Sequence, residues 1–202
     1  MKRIIVLLFV VLGGGALYYG AFSGSLAGVP DKVNAQSQPY QEALTTPRKT
    51  RIGQFSINKH HRFEIKALVL GAKHYKGDEE SKISPVDLAL GWGPMSSGAV
   101  VKQIRFSQSN RFYYYRYQMP PPIPKSNIIR NSANMHLIPS NPRVESLLKQ
   151  AKTGDIVMLS GYLVDVFRDD GWRWRSSRTR SDSGKGACEL IYVEDIKVTA
   201  PF

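Results

Sequence analysis

Cysteine is almost missing from this sequence: Cys188 stands alone, so no disulfide can form within the chain. Histidine is scarce as well. Of the four, His60 and His61 are adjacent, a spacing that seldom lets both bind one ion. HxxH, HExxH and CxxC spacings are absent, and no metal is expected. A GxSxG elbow and a GxxxxGKS or GxxxxGKT phosphate loop are absent too, so serine hydrolysis and nucleotide hydrolysis of those types lack their signatures, and no cofactor is expected. Negative charge is the last shortage. Asp and Glu number 16 against 28 Lys and Arg, a formal charge of +12. A surface so unbalanced favours anionic partners: nucleic acid, phospholipid headgroups, lipopolysaccharide or wall polymers.

Long apolar runs are limited to one. After Lys2 and Arg3, residues 4–22 carry no charge, and Tyr18 and Tyr19 sit near the far end. Nineteen residues of helix span about 28 Å, close to a bilayer core. With the positive flank first, the N-terminus is expected in the cytoplasm and the body outside the bacterial inner membrane. The alternative is a signal peptide cleaved after residue 27, leaving a secreted or periplasmic protein. Losing Lys2 and Arg3 leaves 26 bases against 16 acids, so the exported body still carries +10. The division expected is residues 1–22 as anchor or signal, 23–54 as a flexible linker, and 55–202 as a globular β-rich domain. A flexible tether of ~28 residues spans roughly 30 Å; a short helix is allowed around Gln41–Leu44.

From Phe55 onward, period-two alternation predicts strands. "RFEIKALVLGAKHY" alternates Phe63, Ile65, Ala67 and Val69 with other residues. Ser84, Pro85 and Asp87 predict a short helix ended by Gly91, and "MSSGAVVKQI" predicts another turn or two. "IRFSQSNRFYYYRYQ" is a strand or a hairpin around Gln108–Asn110. "NPRVESLLKQAKTG" is the clearest helix: Asn141 caps it, Pro142 opens it, and Val144, Leu147, Leu148 and Ala151 form one apolar face. "DIVMLSGYLVDVF" is a long strand with a bend at Gly161. The fold expected is α+β: an antiparallel, barrel-like sheet with one clear helix and one or two short ones. "GDIVMLSGYLVDV" resembles the first strand of OB-fold barrels.

Candidate binding residues come from three places. In "WRWRSSRTR", period two sets Trp172 and Trp174 against Arg173 and Arg175, with Arg178 and Arg180 beyond. Arginine forks suit phosphate or carboxylate. Residues 168–185 hold six basic and three acidic side chains, a local excess of three. Residues 118–142 contain six prolines and read as a long loop whose centre gathers Asn131, Asn134 and His136. Trp92 lies between glycines, either lining a pocket or plugging a barrel end. Cys188 with His136 is the one conceivable thiol-enzyme pair, since a nucleophilic thiolate needs a base within reach.

The phrases "SPVDLALGWGPMS", "SANMHLIP", "GDIVMLSGYLV" and "GWRWRSSRTRSDSGKGACELIYV" together resemble a family of short exported bacterial proteins of uncharacterised activity. The resemblance covers about residues 62–198 and implies one intact exported domain. A membrane-tethered binding module for an anionic envelope polymer or an envelope protein is the leading expectation. Single-stranded nucleic acid is the alternative ligand, and a cell-wall thiol enzyme the third.

Overall fold

The computed structural model describes residues 25–177 and 188–200. Among the described residues nine strands run β1 Tyr40–Ile52, β2 Phe55–His74, β3 Val86–Gly91, β4 Ile104–Ser109, β5 Phe112–Tyr117, β6 Ser132–Pro139, β7 Ile156–Phe167, β8 Arg173–Arg175 and β9 Glu189–Thr199. Helices are α1 Gly98–Val101, α2 Lys125–Arg130 and α3 Pro142–Gln150, with 3-10 turns at Glu80–Lys82 and Gly93–Ser96. The chain is mostly β.

Five strands close into a ring, β2–β3–β6–β9–β7 and back to β2. The β6–β9 pair is parallel and the others are antiparallel. The twenty residues of β2 make closure possible. They pair with β7 along one edge, and with β1 and then β3 along the other. Gly161 marks a register shift between β7 and β9; a Cβ there would stand 2.0 Å from the Tyr192 carbonyl oxygen. Only glycine allows that approach. Inside the ring lie Phe63, Ile65, Val69, Leu88, Leu90, Met135, Leu137, Leu159, Ile191 and Val193. Helix α3 adds Val144 and Leu148 to that core, with the Asn141 side chain accepting from Val144 N as a cap.

Between β3 and β6 the chain inserts α1, the β4–β5 hairpin and α2. The hairpin lays Ile104, Phe106, Tyr115 and Tyr117 over Leu68, Leu70 and Ala89 on the outside of the ring. At the other end, β1 and β8 extend the sheet beyond the ring, giving a four-stranded flap in the order β1–β2–β7–β8.

Several expectations are corrected. The stretch expected as a helix from Ser84 to Gly91 is a strand over Val86–Gly91: Val86, Leu88 and Leu90 alternate with period two, and all six β3 residues are buried. Residues 118–142 are no loop, because α2 and β6 lie within them, and "NSANMH" is largely barrel strand. The expected linker 23–54 contributes β1, with strand in place of the helix at Gln41–Leu44, and buries Val29 and Ala35. "DIVMLSGYLVDVF" is the fourth ring strand in chain order rather than the first. Among the described residues no helix is long and apolar enough to cross a membrane; residues 4–22 lie outside them.

Candidate functional site

The β4–β5 turn contains no glycine. Asn110 and Arg111 hold φ of 50° and 67°, the left-handed values of a two-residue type I′ hairpin. Asparagine tolerates this conformation; for arginine it costs roughly 1–2 kcal/mol. The surroundings of Arg111 explain why it is held there. Its Nη1 donates to Asp87 Oδ1 at 3.0 Å and to the Ser84 carbonyl at 2.9 Å. Its Nη2 donates to Asp78 Oδ1 at 3.0 Å. The guanidinium lies 3.8 Å from the centre of the Tyr75 ring and 5.6 Å from that of Trp174. Even the backbone is engaged: Arg111 N donates to the Tyr75 hydroxyl, and Arg111 O accepts from Asn134 Nδ2.

Asp87, fully buried on β3, is the centre of this cluster. Besides Arg111 it meets Asn134 Nδ2 at 3.2 Å and His136 Nδ1 at 2.9 Å, both from the neighbouring strand. Register explains the meeting: Asp87 and His136 are cross-strand partners, so their side chains share the outer face of the ring. Gln108 closes the group by donating to Asn134 Oδ1. The His136 ring packs 4.9 Å from Trp174, which continues to Trp172 and Phe55. Burial and then the Asp87 charge push the Tyr75 hydroxyl up to about 12. Asp78 is held below the usual carboxylate range. Burial opposes this and is the largest single effect, but hydrogen bonds from Ser81 and the Arg111 guanidinium outweigh it.

A second site lies on the flap. Lys49, Asn58, Asp165 and Arg175 are partners across its four strands, and Arg51, Ser56, Phe167 and Arg173 form the next row. The two rows are two residues apart and therefore share a face. Lys49, Arg51, Arg173 and Arg175 are all exposed. They span three inter-strand spacings, about 14 Å. His60 joins the face, with Nε2 3.1 Å from Asp165 Oδ2. The opposite face of the flap carries Phe55, Ile57, Val164 and Val166, with Trp172 and Trp174 packed against them.

The predicted binding residues separate into groups. Asn134 and His136 fall in the buried Arg111 cluster, and Arg173 and Arg175 on the flap. Trp92 and Asn131 belong to neither. Trp92 is 2% exposed with Nε1 tied to Gln38 Oε1, and Asn131 accepts from Gln38 and donates to the Asn127 carbonyl. Trp92 is therefore a packed structural residue and not a pocket indole. Arg178 and Arg180 lie outside the described residues. Asp87 and Arg111, and Lys49 and Arg51, escaped sequence reasoning. A hairpin turn lacking glycine was the available signal for the first pair, and period-two bases in "PRKTR" for the second.

Cys188 Sγ lies 4.0 Å from the Arg111 carbonyl oxygen. Burial, followed by the charges of Glu189 and Asp87, pushes its thiol up to about 12. At neutral pH that site holds a thiol, not the thiolate a nucleophile requires. Comparison with protein-family profiles, curated proteins and solved structures finds no match to this chain.

Proposed function

We propose that this chain is a non-enzymatic binding module for a polyanion of the bacterial envelope, built on an OB-type barrel and tethered to the inner membrane by residues 4–22. The observation that carries the reading is the set of four exposed bases, Lys49 and Arg51 on β1 and Arg173 and Arg175 on β8, on one face of a sheet whose other face is packed. A rigid strand pair presents Arg173 and Arg175 two residues apart, a spacing of about 7 Å that suits successive anionic groups. The OB-type assignment rests on the ring order and on the parallel third and fifth ring strands, with α3 between the third and fourth. In such barrels the loops after the first and fourth strands, and the face of the second and third, take the ligand. Here the loop after the fourth strand holds β8 and its arginines, while the β4–β5 hairpin covers the face of the second and third.

Single-stranded nucleic acid is the second reading, favoured by the same strand order. Against it, tryptophans and arginines of β8 point to opposite faces, whereas base stacking needs aromatics and bases together. Titration of labelled polyphosphate and labelled oligonucleotide against salt separates the two. Charge binding predicts equal affinity for both and a slope near −0.7 per phosphate neutralised. Arg173→Ala/Arg175→Ala should weaken polyphosphate binding about tenfold at low salt and flatten that slope by roughly 1.4. Unchanged binding by the double variant places the ligand elsewhere.

A further inference from the structure

The chain is pinned to the barrel from its first described residues. Gly98 N donates to the Pro30 carbonyl at 2.8 Å, and Gly93 N to that of Ala35 at 2.7 Å. Asn34 makes three hydrogen bonds to Ser96, and Val29 is buried beside Leu68 and Ile156. Ser25 lies against the turn that leads into β7: a Cβ on Gly154 would stand 3.5 Å from the Ser25 carbonyl oxygen. A span ending at Phe22 therefore leaves three peptide steps, at most about 11 Å of chain, before the packed body. The turn at 152–155 must then sit close to the membrane surface.

The sheet beside that turn carries an unusual row. Lys66 on β2, Met158 on β7 and Lys197 on β9 are cross-strand partners, and all three are exposed, Met158 by 45%. Lys152 is exposed on the turn itself. None of the three lysines has an ion pair among the described residues. The nearest acids on that face, Glu64 and Asp195, flank Ser160 one row further on, and each has its own base: Arg62 for Glu64, Arg143 for Asp195. Asp155 accepts from Lys152 N. An exposed apolar side chain between long cationic ones suits the headgroup layer, where the methylenes sink and the ammonium groups meet phosphate.

We infer that the face formed by Lys66, Met158, Lys197 and Lys152 docks on anionic phospholipid headgroups, fixing how the barrel stands on the membrane. This rests on the reading of residues 4–22 as an uncleaved anchor. It places the docking face at the start of β7 and the polyanion face at its end, eleven residues or at most about 37 Å away. The module would thus hold its arginines outward, away from the bilayer that carries it.

The test uses the full wild-type chain reconstituted into phosphatidylcholine vesicles with and without phosphatidylglycerol. A membrane-impermeant acylating reagent is applied and modification is read lysine by lysine. Lys66, Lys152 and Lys197 should react roughly fivefold more slowly with phosphatidylglycerol present. Lys49, at the far pole, should react equally in both. Equal rates for the three lysines in the two vesicles, in a chain that floats with them, overturn the docking face alone. A chain that does not float with vesicles overturns the anchor and the docking together. Neither result touches polyphosphate binding at the flap.

Discussion

Arg111 and the pair Arg173 and Arg175 both live beside Trp174, yet they do opposite things. Arg111 reaches Trp174 from across the fold, with a side chain only 13% exposed and both terminal nitrogens bound to carboxylates. Arg173 and Arg175 flank Trp174 in sequence and stand in water on the other face of the same strand. The first arginine joins Tyr75 just past β2, the loop that follows, β3, the hairpin turn and β6 through hydrogen bonds. Among the described residues the side chains of the second two make no hydrogen bond or ion pair. A basic residue is available to a ligand to the extent that the fold does not already use its charge. By that measure the buried cluster is architecture and the flap is the proposed binding surface, where, among the described residues, only Arg51 of the four bases shares its charge, with Asp169 at 3.3 Å, although the sequence makes the two kinds of arginine look alike.

The comparison is sharpest in unfolding. Arg111→Ala strands the fully buried Asp87 carboxylate with only Asn134 and His136 beside it, and should cost about 3–5 kcal/mol, read as the fall in urea midpoint. Replacing both charges, as Arg111→Met/Asp87→Leu, should cost less than the two single changes added together, since neither charge is left alone. An Arg111→Ala chain as stable as wild type would mean that the cluster does not hold the hairpin on the barrel.

What was legible beforehand follows from range. Asn141, Pro142 and the apolar repeat act within one helix, and α3 starts where they place it, although it ends at Gln150 with Ala151 already extended. Gly161 announced its bend because a mid-strand glycine has few other uses. The stretch at 84–91 misled because Ser84 and Pro85 imitate a helix start locally, while the ring pairs β3 on both sides and buries all of it. The alternation in "WRWR" correctly divided aromatic from basic faces. It had no means of saying that Lys49 and Arg51, more than a hundred residues earlier, would be laid on the basic face through two intervening strands. The Arg111 cluster was invisible for the same reason: its members come from five segments.

Cys188 lies under the Arg111 carbonyl and reports on the buried region chemically. A thiol at about 12, against about 8.5 in an unfolded chain, has a thiolate fraction lower by on the order of a thousandfold at pH 8. Alkylation of the native protein should be slower than that of the urea-unfolded chain by about this factor. The linkage has a definite sign. The folded state favours the neutral thiol, so its contribution is intact below about pH 8.5 and is lost as pH rises from there toward 12. Cys188→Ser should blunt that alkaline decline in melting temperature. A native thiol that reacts as fast as the unfolded one would reopen the enzyme reading with His136.

The smallest effect belongs to the exposed pair. Arg173→Ala/Arg175→Ala removes two charges whose side chains stand in water, and surface changes of this kind usually stay within about 0.5 kcal/mol. Trp174→Ala, between them on the same strand, removes a half-buried indole packed on His136 and Trp172 and should destabilise by roughly 2 kcal/mol. The urea midpoints of the two variants therefore divide one three-residue strand into a face that folds and a face that is free to bind. If the arginine pair proves as costly as the tryptophan, its guanidinium groups hold up the fold as Arg111 does, and the flap loses its claim to be a ligand surface. If it costs nothing, any loss of polyphosphate affinity in the same variant belongs to binding alone, because the scaffold that presents the arginines is unchanged.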